Sequence, residues 1–111
     1  RAGEVCGSLI GGIMAISLVY GRDRLEESTI SSGYLKAMEL SIRLYEEFKE
    51  EFGSVKCHDI QKKLFGRSFN LRVEEDRRKF VEAGAYGPSG CPQVVRKGAM
   101  LAAKIILENI R

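Results

Sequence analysis

The chain has little of what most recognisable chemistry needs. Its 111 residues include one histidine and three cysteines. No Cys-x-x-Cys occurs, which excludes a thioredoxin-type dithiol and, with no Cys-x-x-Cys-His, a covalent haem attachment. There is no Gly-x-x-x-x-Gly-Lys-Ser/Thr loop to cradle a phosphate, and the glycines between Gly84 and Gly90 are spaced wrongly for a dinucleotide fingerprint. One histidine without a matched acid gives a hydrolytic triad little support. The net charge is only +3, and the basic residues from Lys62 to Lys79 are interspersed with Asp59, Glu74, Glu75, Asp76 and Glu82, with no aromatic ladder, which argues against a nucleic-acid partner. No Lys- or Arg-rich leader with a small-residue cleavage site is visible, although the chain opens at Arg1 rather than Met. The uncharged run Val5–Tyr20 falls short of the ~20 residues a membrane-spanning helix needs. An odd number of cysteines excludes a complete internal disulfide framework, so a cytoplasmic, reducing location with a thiol or metal role is expected.

What is present is helical. The Val5–Tyr20 run reads as a central helix from Gly7 to Tyr20, stopped by Gly21 in a left-handed conformation. Gly7, Gly11 and Gly12 each cost that helix roughly 1 kcal/mol relative to Ala but open a flank to close approach. Ser28 and Thr29 offer an N-cap for a second helix over 30–52, whose seam is expected at Tyr34, Met38, Ser41, Tyr45, Phe48 and Phe52, widened by Leu35, Leu40, Ile42 and Leu44. Gly53 ends it and Ser54 is expected to cap a third helix in which Cys57, Ile60 and Leu64 face the core, with Gly66 as its stop. Residues 67–72 read as an extended loop. A short charged helix follows over 73–83, burying Val73, the stem of Arg77, Phe80 and Val81. After the 84–90 loop, Pro92 at the first helical position puts Cys91 at the cap of a last helix, whose stripe Val95, Gly98, Ala102 and Ile105 suits the glycine-bearing flank of the first. The expectation is a single-domain, all-α bundle of about three long and two short helices.

All three cysteines fall at or near a helix start: Cys6 before Gly7, Cys57 three residues after Ser54, and Cys91 before Pro92. Free backbone N–H groups and the positive end of the helix dipole there favour the thiolate, the form that ligates metal or attacks a disulfide. If the helix ends converge, Cys6, Cys57 and Cys91 make a three-thiolate pocket; otherwise they are small buried hydrophobes. His58 could be a fourth ligand, but adjacent helical residues point about 100° apart, so an exposed, uninvolved histidine is the better expectation.

The segments Arg1–Gly12, Leu18–Gly21, Phe52-Gly53-Ser54 followed by Cys57, and Cys91 ahead of Val94-Val95 resemble the C_GCAxxG_C_C family of putative redox-active proteins. The resemblance covers most of the chain and implies a small helical domain whose cysteines, here Cys6, Cys57 and Cys91, act in redox or cluster chemistry. A similar domain in split-Soret cytochromes is associated with an iron–sulfur centre. Ser8 stands where the family usually has Ala. The family's fourth cysteine, upstream of the glycine motif, has no counterpart here, so either the family domain is truncated at Arg1 or this is a three-cysteine variant completed by His58, a partner subunit or an exogenous ligand.

Three functions follow as expectations. The first is a redox module that holds an iron–sulfur cluster or another metal through Cys6, Cys57 and Cys91 for electron transfer or redox sensing, with a redox partner protein. The second is a metal-free thiol–disulfide protein. The third is a helical interaction domain, a homodimer through the glycine-bearing helix, with inert core cysteines. Any enzymatic activity would be that of an oxidoreductase.

Overall fold

The computed structural model describes residues 1–24 and 32–110. They form five α-helices: α1 (Gly7–Tyr20), α2 (Ser32–Phe52), α3 (Cys57–Phe65), α4 (Glu74–Glu82) and α5 (Cys91–Asn109). The three long helices α1, α2 and α5 pack against one another, and α3 and α4 with their loops gather at one end. The all-α bundle of three long and two short helices expected from the sequence is what forms. The expected cap at Ser28-Thr29 and the start of the second helix at Ile30 lie outside the described residues.

The core has two parts. Leu9 and Ile16 of α1, Leu40, Leu44 and Phe48 of α2, Ile60 of α3 and Val94, Ala102 and Ile105 of α5 make the larger one. Each large apolar side chain fully withdrawn there contributes about 1.5–3 kcal/mol. The approach of α1 to its neighbours depends on Gly12, where a Cβ would meet Leu44 Cδ2 at 2.7 Å and the Ala102 Cβ at 3.2 Å. One turn earlier the relation reverses: a Cβ on Gly98 of α5 would collide with the Ser8 hydroxyl, which donates to the Val94 carbonyl at 3.1 Å. Gly98 and Ala102 therefore do pack on α1, as their spacing suggests, but Val94 rather than the expected Val95 completes the buried stripe, and Val95 stays exposed. The smaller cluster joins Phe69, Phe80 and Ala85, with Phe65, Leu71 and Cys91 packed on it. Phe65 meets Phe69 and Phe80 edge to face, the latter at 5.6 Å between centroids.

Several local expectations need correction. Of the expected α2 seam, Phe48 and Phe52 do pack in the core, but there they join Leu40 and Leu44, expected only to widen it, and not the row through Tyr34, Met38, Ser41 and Tyr45, because Leu44 is what fills the space left by Gly12. That other row lines a 610 Å³ cavity shared with Ile13 and Ser17 of α1. Gly21 ends α1 in an extended conformation (φ −71°, ψ −177°), not a left-handed one; glycine is needed because a Cβ would run into the Ser17 carbonyl. In α4 only Phe80 is buried, while Val73 and Val81 stay exposed and Arg77 reaches back to donate to the Leu71 carbonyl at 3.0 Å.

Candidate redox site

The N-terminal arm decides where two of the cysteines sit. Val5 and Lys56 form an antiparallel bridge, flanked by hydrogen bonds from Cys6 N–H to the Val55 carbonyl (2.8 Å) and from Cys57 N–H to the Glu4 carbonyl (2.6 Å). Side chains alternate across such a pair, so Val5 and Lys56 share the exposed face and Cys6 and Cys57 the inner one, where both are half-buried. They are diagonal neighbours across the bridge, a relation that sets residues about 7 Å apart. Each chain turns directly into a helix from there, with Cys6 as the N-cap of α1 and Cys57 as the first residue of α3.

Two helix starts differ from expectation. Ser54 does not cap α3, which begins three residues later with Lys56 as N-cap; its hydroxyl accepts from Lys56 N–H (3.1 Å) and donates to Asp59 Oδ2 (2.7 Å), closing a turn. Gly90 rather than Cys91 is the N-cap of α5, since only a residue without a Cβ fits against the Gly84 and Ala85 carbonyls; Cys91 is then the first helical residue and Pro92 the second. All three cysteines nonetheless stand at helix starts. At α3 and α5 the donors are not free, however. Cys57 N–H and His58 N–H are taken by the Glu4 and Gly3 carbonyls, and Cys91 N–H by the Ala85 carbonyl at 2.8 Å.

This changes the electrostatics expected of the thiols. Burial pushes the Cys6 thiol above its ordinary value, and the charge of Cys57 adds to the rise, against the N–H groups of Ser8 and Leu9 that draw it down. Burial also pushes Cys91 up, with the charges of Cys57 and then Cys6 adding to it. At Cys6 and Cys91 burial therefore works against the thiolate that a helix start favours. The same mutual influence places each sulfur within the field of the others, with Cys57 the neighbour that Cys6 and Cys91 share. Cys6 packs on the larger core and Cys91 on the smaller, so the sulfurs mark the seam between the two. All three are free thiols.

Among the described residues, no three His, Cys, Asp or Glu side chains are gathered so as to hold a metal ion. His58 does not complete such a set. Its Nδ1 lies 2.7 Å from the Gly3 carbonyl and its Nε2 3.2 Å from Asp59 Oδ1, so both ring nitrogens are engaged within the arm and α3 rather than turned toward the cysteines. It is a strut that fixes the arm to α3.

Gln61 is the residue that sequence reasoning missed. It is the buried polar side chain of the described core, 1% exposed. Its Oε1 accepts from Phe69 N–H at 2.8 Å, which orients the amide so that Nε2 donates to the Cys57 sulfur at 3.1 Å. The available signal was its position one turn after Cys57, on the same face of α3.

Among the described residues no helix is long and apolar enough to cross a membrane. No curated protein and no solved structure matches the chain. The model of the family described as putative redox-active protein (C_GCAxxG_C_C) matches residues 1–105, and with nearly the whole chain inside it, from the Gly3–Val5 arm to the body of α5, this protein belongs to that family.

Proposed function

We propose that this protein is redox-active through its cysteines, and that Cys57 is the thiol that exchanges with a disulfide substrate, with Cys6 or Cys91 as the resolving partner. The supporting observation is that Cys57 accepts the Gln61 amide hydrogen bond and is the neighbour whose charge both other thiols feel, while burial pushes the Cys6 and Cys91 thiols above their ordinary value. In the exchange the Cys57 thiolate attacks one sulfur of the oxidant's disulfide and expels the other as a thiolate. The resolving cysteine, giving up its proton, then attacks the Cys57 sulfur. This chain ends with an internal disulfide, having lost two protons and two electrons, and the oxidant leaves as a dithiol. Pairing Cys57 with Cys6 requires the arm to shift, since a disulfide needs Cβ atoms about 3.5–4.5 Å apart. That shift has to loosen the Val5–Lys56 bridge and the hydrogen bonds that tie Gly3 and Glu4 to α3.

The diagonal placement of Cys6 and Cys57 favours a second reading, in which the three thiolates bind different irons of one iron–sulfur cluster rather than touching one another. Such a cluster would supply one-electron chemistry. The absence of a ready three-ligand group among the described residues makes it the weaker of the two.

Anaerobically prepared protein separates the readings by visible spectrum, iron and sulfide content, and thiol counts before and after reduction. Thiol exchange predicts a colourless, iron-free protein that loses two thiols to a disulfide oxidant and regains them on reduction. A cluster predicts stoichiometric iron and sulfide with absorbance near ~400 nm. Three thiols under oxidant and no iron would reject both.

A further inference from the structure

One face of α1 is unexplained by the fold. From Val5 to Tyr20 the chain carries no charged residue, a composition proper to a helix buried on every side. Yet only Leu9, Gly12 and Ile16 of α1 are fully buried. On the opposite side Ile10, Met14 and Leu18, an i, i+4, i+8 row, are 45%, 61% and 88% exposed. Beside that ridge runs a second row, Gly7, Gly11 and Ala15, which with Val95, Ala99 and Ala103 of α5 lines a groove of 370 Å³. A Cβ added at Gly7 or Gly11 would meet nothing within 4 Å. Each of these glycines weakens the helix by roughly 1 kcal/mol relative to Ala, and neither is needed by any contact within the chain.

The whole molecule carries the matching surplus of surface. It exposes 7454 Å², about 1,300 Å² more than a monomer of 12.4 kDa ordinarily does. Its radius of gyration is 16.1 Å against about 13 Å for a compact chain of this length. A standard interface withdraws about 800 Å² per partner, so one contact of ordinary size accounts for much of the excess.

We propose that this face binds a second copy of the chain, α1 against α1, with the Ile10–Met14–Leu18 ridge of each copy seated in the Gly7–Gly11–Ala15 groove of the other. Ridge and groove lie on the same helix, so one two-fold axis fills both at once, the self-complementarity an isologous dimer requires. Both rows run at four-residue spacing, the rows that interdigitate in close helix packing. A lipid surface is a poorer occupant, because helices that lie on membranes flank their apolar face with Lys and Arg, and α1 has neither. The inference does not depend on the redox reading.

Sedimentation velocity on reduced protein at ~100 μM tests it. The expected species has twice the 12.4 kDa chain mass. Gly11→Leu fills the groove where the isolated chain has open space, and Leu18→Glu charges a ridge side chain that the fold leaves 88% exposed. Each should retain the wild-type helical circular dichroism and weaken dimerisation at least ~tenfold. Monomeric wild-type protein, or a dimer that both variants leave intact, would overturn the proposal; a monomer that instead binds vesicles would assign the face to lipid.

Discussion

Gln61 is a single amide that links the cysteine site to the smaller aromatic core. Because Phe69 N–H occupies its oxygen, only its nitrogen is available to Cys57, and the side chain cannot flip without losing both bonds. Replacing it by Leu leaves the Phe69 N–H without a partner in a site that is closed to water. Gln61→Leu is therefore expected to lower stability by about 1–3 kcal/mol, read as a lower urea midpoint at unchanged slope. The thiols set a pH dependence at the same scale. In metal-free protein Cys6 and Cys91 hold their protons to higher pH than they would in the unfolded chain, where the ordinary value is 9.0. Their contribution to stability is thus complete below that value and disappears as pH climbs through the higher folded-state values, since the unfolded chain gives up its protons first. Urea unfolding at intervals from pH 7 to 10.5 should show stability falling more steeply in wild-type protein than in the Cys6→Ala/Cys91→Ala double variant. Equal slopes would mean that the two thiols are not desolvated.

At the level of the helices, α1 offers two adjacent glycines with opposite roles. Gly12 lies against Leu44 and Ala102, and Gly11 faces open space. Gly12→Ala is expected to cost about 1–3 kcal/mol through overpacking, whereas Gly11→Ala, measured in dilute and therefore monomeric protein, should gain up to ~1 kcal/mol of helix propensity. Thermal melts of the pair at low concentration check the sign of each. The sequence made α1 legible because an uncharged run ending at a glycine has few other readings. It made the α2 seam only half legible: Phe48 and Phe52 belong to it as their spacing suggests, but the Tyr34–Tyr45 row and the Leu40–Leu44 pair both continue from them at helical spacing. What chooses between them is the Gly12 gap on another helix. Ser54 was ambiguous for a similar reason: a serine closing a turn looks the same in sequence as a serine capping a helix. The α3 donors are satisfied instead by Gly3 and Glu4, more than fifty residues upstream in the chain, through contacts that local pattern does not carry.

For the molecule as a whole, the three cysteines could be marked from the sequence because each stands beside a helix-starting signal, but their surroundings could not. Whether a thiol at a helix end is ionised depends on how much water the fold leaves it, and the two-part core that closes over Cys6 and Cys91 assembles from Leu9, Ile60, Val94, Phe69 and Phe80, residues spread along most of the chain. At Cys6 and Cys91 that burial pulls against the thiolate a helix start favours. The exposure of the Ile10–Met14–Leu18 row of α1 is a property of the assembled bundle and invisible in any single segment. The account's central claim is that Cys57 is the cysteine on which redox chemistry turns. Thiol counting by mass spectrometry after equilibration with a disulfide oxidant, on wild-type protein and on Cys57→Ser, tests it most directly. The account predicts that wild-type protein loses two thiols reversibly, with Cys57 in the mapped disulfide, and that Cys57→Ser forms no internal disulfide. An unchanged count of three thiols in wild-type protein, or a Cys6–Cys91 disulfide formed equally well without Cys57, would contradict it.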